Sequence, residues 1–191
     1  MSNKFKVGID PLDVMWRDIK APSQSVKLDA TNPPSAQAFK GGSVLSFASN
    51  PNQKVYFNMQ LNHDWKMSTN LDAHLHIVLP TAGAGAGVEN VKFDLTYSWA
   101  YIGYEFPAET TITATRDVQN DPANTHIYFD LGDILESNAA GTQSEGVSSM
   151  LICSLERDTG VANDYAGAVY LAEADFHIQC NSIGSRFEAS K

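Results

Sequence analysis

From residue 53 onward, apolar and polar residues alternate with a period of two over most of the chain, the pattern of strands that each cover one face. In KVYFNMQLNHDWK, Val55, Phe57, Met59 and Leu61 fall on one face and Tyr56, Asn58, Gln60 and Asn62 on the other. LDAHLHIVLP sets Leu71, Ala73, Leu75, Ile77 and Leu79 against Asp72, His74, His76 and Val78. The longest run, VENVKFDLTYSWAYIGYEF, sets Val91, Phe93, Leu95, Tyr97, Trp99 and Tyr101 against Lys92, Asp94, Thr96 and Ser98, so its aromatic side must be covered. THIYFDLG, SSMLICSLERD and AVYLAEADFHIQC complete the strongest set, and the Thr-rich TTITATRD adds another strand. Seven or eight strands are predicted, with about one helical turn at DILES, near 133–137.

Gly, Asn, Asp and Ser mark TAGAGAG (81–87), RDVQNDPAN (116–124) and ESNAAGTQSEG (136–146) as turns and surface loops. TAGAGAG lacks the GK[ST] ending of a phosphate loop and no helix follows it, so it reads as a hairpin or mobile loop. Residues 1–50 carry four of the eight prolines and few alternating apolar positions. They are expected to form an extended N-terminal arm or irregular lead-in, with residues 51–191 as a single sandwich domain. The fold class predicted is all-β, a two-sheet β-sandwich, with the jelly roll as its most natural connectivity. An immunoglobulin-like sandwich would place a Trp between two Cys, whereas Trp99 precedes both cysteines.

With 191 residues, 43% of them hydrophobic, the chain can build a core that needs no disulfide or metal. Cys153 and Cys180 fall in two core strands and are expected to be buried thiols. A net charge of −9, with thirteen scattered Lys and Arg, argues against a nucleic-acid binder. No apolar run reaches the roughly 20 residues of a spanning helix, so no membrane partner is expected. MSNKFKVGID lacks the apolar core of a signal peptide, and the mature protein is expected to start near Met1.

Candidate chemistry centres on His74 and His76, which a strand aims to one side, as a metal site would need. His177 lies on the polar side of its own strand with Glu173, Asp175 and Gln179, and converges on them only if the two strands are neighbours. His63 and Asp64 sit at a strand end nearby. A cupin would add a Glu a few residues after the His-x-His, but the next is Glu89, across a glycine loop. The favoured expectation is therefore that Asp72, His74, His76 and His177 serve polar packing or a subunit interface, with no bound metal and no cofactor. No GxSxG supports a serine hydrolase. Twenty-two Asp and Glu always offer some carboxylate pair, so glycosidase chemistry gains nothing from their presence. Asp164, in VANDYAG, reads as a turn residue in a solvated loop. Trp65 and Tyr104, at strand ends, are the aromatic candidates for a sugar-binding surface.

An ordered set of short pieces carries a resemblance: M-W-R-D (15–18), Q-L-N-H-D-W-K (60–66), D-A-H-L-H (72–76), F-D-L-T-Y-S-W-A (93–100), L-E-R-D (155–158), N-D-Y-A (163–166), A-D-F-H (174–177) and S-I-G-S-R (182–186). Together they resemble a family of tailed-bacteriophage proteins found among genes for virion structural components. In that family the His-x-His is typically followed by an aromatic residue, where this chain has Ile77. The resemblance implies a non-enzymatic virion protein, made in the host cytoplasm and acting as a symmetric oligomer. The leading expectation is a capsid decoration (cement) protein, a homotrimer that binds the major capsid protein or other virion proteins. A tail-associated or receptor- or glycan-binding virion protein is the alternative, using loops 81–87, 102–109 and 136–146. A cupin-like metal-binding protein using His74, His76 and His177 is the third.

Overall fold

The structure, a computed structural model, describes residues 15–84, 87–141 and 146–181. In chain order the strands are β1 (Met15–Pro22), β2 (Lys27–Leu28), β3 (Ser35–Phe39), β4 (Gly42–Phe47), β5 (Gln53–Gln60), β6 (Leu71–Val78), β7 (Asn90–Ala100), β8 (Thr110–Asp117), β9 (His126–Ile134), β10 (Met150–Arg157) and β11 (Val169–Cys180). A 3₁₀ turn at Glu136–Asn138 takes the place of the helical turn expected slightly earlier. The first sheet runs β3-β4-β11-β6-β9, and β1 shares an edge of β11 with β4: β4 pairs with Val169–Leu171 and β1 with Glu173–Cys180. The second sheet runs β2-β5-β10-β7-β8. The sets β4-β11-β6-β9 and β5-β10-β7-β8 are the two halves of an eight-strand jelly roll, as the alternation predicts.

Inward residues of both sheets interdigitate as that alternation requires. Val55, Phe57 and Met59 of β5, Leu75 and Ile77 of β6, Phe93, Leu95, Tyr97 and Trp99 of β7 and Phe176 of β11 join one core. Each of these large side chains contributes about 1.5–3 kcal/mol on burial. Cys153 and Cys180 are both buried, and burial pushes the Cys153 thiol up from its ordinary range.

Of the stretch expected as arm or lead-in, residues 15–47 supply four strands, and Val44, Leu45 and Phe47 are buried. β1 and β3 pair along sheet edges through backbone hydrogen bonds without covering a full side-chain face. Such strands carry no apolar alternation to read. The predicted arm's first fourteen residues, parts of loops 81–87 and 136–146, and the S-I-G-S-R motif lie outside the described residues.

Candidate functional site

Strand pairing decides which polar groups share the outward face of the first sheet. In β11, Leu171 faces the core opposite Ile77, but the next pair is Glu173 with His76, so Ala172 is an extra, bulged residue. The bulge flips the parity of the rest of the strand and puts Glu173, Asp175, His177 and Gln179 on the outside, beside Asp72, His74 and His76 of β6. A second bulge, in β9, has Gly132 opposite Ala73 and Asp130 opposite His74. Gly132 takes φ +95°, which a side chain would strain, and the bulge leaves His126, Tyr128 and Asp130 outward. β1 adds Asp18 opposite His177 and Lys20 opposite Asp175.

Four of the five histidines therefore meet on one face, crossed by a band of rings. Trp16 and His177 meet edge to face at 6.4 Å, His177 and His74 lie 4.3 Å apart, and His74 stacks on Tyr128 at 4.5 Å. The ends of the band, Trp16 (55%) and Tyr128 (44%), are exposed, while His74 beneath them is buried. Burial, then the neighbouring His177 and His76, brings the His74 imidazole down to about 4, so it is neutral at physiological pH. Asp175 is buried beside it, and burial first, then Asp18, raises its carboxyl above the usual range. Nε2 of His74 and of His76 lie 3.8 and 3.5 Å from Asp175 Oδ2. His76 Nδ1 is 2.6 Å from His126 Nε2. His177 bridges two carboxylates, Asp18 at 3.2 Å and Asp72 at 3.5 Å. Lys20 pairs with Glu173 at 3.0 Å.

Of the residues singled out from sequence, Asp72, His74, His76 and His177 are brought together. Trp65 is not available for sugar binding: it is fully buried, 5.6 Å from Trp99, and closes one end of the core. Tyr104 is exposed, but in the connection between β7 and β8 of the opposite sheet. His63 Nε2 lies 2.6 Å from Ser148 Oγ, and buried Asp64 pairs with Arg17. Asp164 is not simply solvated, since it lies 3.4 Å from the guanidinium of fully buried Arg157. Sequence reasoning missed His126, Tyr128 and Trp16. The alternation of THIYFDLG already puts the first two on one face, but nothing local shows that β9 lies beside β6.

The exposed Trp16 also borders a groove of about 290 Å³, lined with Asn70, Asp72, Asp133 and Gln179. The outward face of the second sheet is of another kind. Beside a row of Lys54, Glu156 and Asp94, it carries a patch of Tyr56, Asn58 and Gln60 of β5, Ile152 and Ser154 of β10, Thr96 and Ser98 of β7 and Thr111 and Thr113 of β8. These nine side chains carry no charge, and Ile152 is 49% exposed among them.

No family model matches the chain, and no curated relative is found. Solved structures similar to it include a carbohydrate-binding module specific for non-crystalline cellulose (9% identity, covering 80% of this chain and 88% of that one, TM-score 0.43). Others are the infectious bursal disease virus Gx strain (10%, 94% and 38%, 0.40) and the enzymatically active domain of bacteriophage CBA120 tailspike protein 4 (10%, 84% and 19%, 0.38). With TM-scores below 0.5, they decide nothing about what this chain binds or builds.

Proposed function

We propose that the chain is a non-enzymatic virion structural protein, a capsid decoration (cement) protein that works as a symmetric homotrimer on the major capsid protein. The observation that carries this reading is the uncharged patch around Ile152 on the outward face of the second sheet. In a chain with 22 acidic residues, an uncharged patch around exposed Ile152 and Tyr56, rimmed by Lys54, Glu156 and Asp94, has the apolar-centre, polar-rim composition of an interface. Its occupant in this reading is a second copy of the chain. The ordered phage-like motifs point the same way. A protein that binds only the assembled shell stabilises it by mass action, without chemistry of its own.

Copy number per particle, measured by quantitative mass spectrometry of purified virions against the major capsid protein, tests the proposal. Copies in proportion to the capsid lattice support decoration. A handful of copies moves the protein to the tail or a vertex, and absence from virions overturns the structural role.

The Trp16 groove favours a second reading, a glycan-binding virion protein. An exposed indole beside amide and carboxylate groups offers a sugar both a stacking surface and hydrogen-bond partners. Glycan-array binding that is lost in Trp16→Ala would establish it, and a silent array would remove it.

A further inference from the structure

We propose that His74, His76 and Asp175 form a binding site for a divalent first-row transition ion on the outward face of the first sheet. One ligand atom from each residue lies within 4.8 Å of the other two. A tetrahedral ion with bonds of about 2.0–2.1 Å holds its ligand atoms roughly 3.4 Å apart. The 3.5 and 3.8 Å separations from Asp175 Oδ2 to the two Nε2 atoms need to close by only a few tenths of an ångström. Two imidazoles and a carboxylate are a donor set suited to zinc and its first-row neighbours, rather than to calcium or magnesium.

Three further observations point to an ion. First, Asp175 Oδ1 is buried without a hydrogen-bond partner among the described residues, its side chain 1% exposed. Buried polar groups of that kind are normally satisfied, and a ligated ion with its bound water provides a partner for the carboxylate. Second, His76 has the outer support that metal-bound imidazoles use. Ligation through Nε2 puts the proton on Nδ1, and that N–H then donates to His126 Nε2, 2.6 Å away. Third, the site is open on one side. His76 is a quarter exposed, so an ion can enter and keep a solvent ligand in its fourth position. The competing cation is Lys20, 3.8 Å from Asp175 Oδ2, but its nearer partner is Glu173 at 3.0 Å. The ammonium can stay there while the ion takes Asp175. His177 is not a ligand in this arrangement, because both of its nitrogens face carboxylates, Asp18 and Asp72.

The test is zinc titration of the chelator-treated full chain by calorimetry, with elemental analysis after dialysis and cobalt(II) absorption to report the coordination geometry. The wild type is expected to take up a single ion per chain. His76→Gln and Asp175→Asn are expected to abolish uptake, His126→Ala to weaken it roughly 10–100-fold, and His177→Gln to leave it unchanged. Circular dichroism accompanies each variant. Should Asp175→Asn misfold, His76→Gln, at a partly exposed position, decides the matter. No saturable uptake by the wild type, or equal uptake by wild type and His76→Gln, overturns the site.

Discussion

The two outward faces of the sandwich rest on one core and yet differ in almost every chemical respect. The first sheet displays Asp18, Lys20, Asp72, His74, His76, His126, Asp175 and His177, with polar atoms of His74 and Asp175 buried and without a partner among the described residues. The second displays a patch of hydroxyls, amides and Ile152, with Lys54, Glu156 and Asp94 along its rim and no histidine among the described residues. The difference teaches that alternation alone says only that a residue faces outward. What an outward face can do depends on which strands stand side by side, and here the register gathers four histidines on one face and leaves an uncharged patch around Ile152 on the other.

The largest effect is expected where both faces share support. Arg157 is fully buried at the end of β10 and donates to the carbonyls of Phe47, Gly167 and Tyr165 at 3.0, 2.8 and 2.6 Å. It fastens the second sheet to β4 of the first and to the connection that leads into β11. Arg157→Ala leaves three carbonyls and Asp164 without their partner and should cost about 3–5 kcal/mol. Urea denaturation followed by circular dichroism measures this. A loss below about 1 kcal/mol would mean that the guanidinium is replaceable by water.

The next change separates the faces. Ile152→Lys puts a charge at the centre of the neutral face and should abolish self-association, read by light scattering after size exclusion, while changing the chain's own stability by only about 0.5 kcal/mol. Tyr128→Lys, on the histidine face, should leave association intact. If both or neither dissociate the oligomer, the neutral face is not its interface. Zinc acts on the other side. At a free concentration about 100 times its dissociation constant, it should stabilise the wild type by about 2.7 kcal/mol and His76→Gln not at all, as followed by thermal melts.

Much of this was legible in the chain, but unevenly. The alternation of LDAHLHIVLP gave His74 and His76 a common face, and that of ADFHIQ did the same for Asp175 and His177. Their meeting depends on pairing between strands about a hundred residues apart, which no local pattern encodes, and on the bulge at Ala172, which a period-two reading passes over. Arg157 continues the inward series Leu151, Cys153 and Leu155, but an arginine at a strand end reads as surface until the three carbonyls around it are seen. β1 was illegible for the opposite reason: apart from Ala21 it buries little side-chain area, so no apolar alternation announces a strand whose register is set by pairing with β11.

The smallest effect concerns the rim of the neutral face. Tyr56 donates its hydroxyl to Asp29 Oδ1 at 2.8 Å, and Asp29 Oδ2 accepts the backbone N–H groups of Thr31 and Asn32 at 2.8 and 3.0 Å. The Asn32 and Thr31 amides first, then the Tyr56 hydroxyl, hold the Asp29 carboxyl down to about 2, against an ordinary value of 3.8. Because the folded value lies below the unfolded one, the stabilisation is fully present above the ordinary value and is lost as the pH falls through about 2. Asp29→Asn should remove a small part of the fall in urea midpoint between about pH 5 and about pH 2 while leaving the pH 5 oligomer in place. An equal acid response in wild type and variant would mean that Asp29 titrates alike in the folded and unfolded chain, and that Tyr56 is held in the neutral face by packing rather than by this carboxylate.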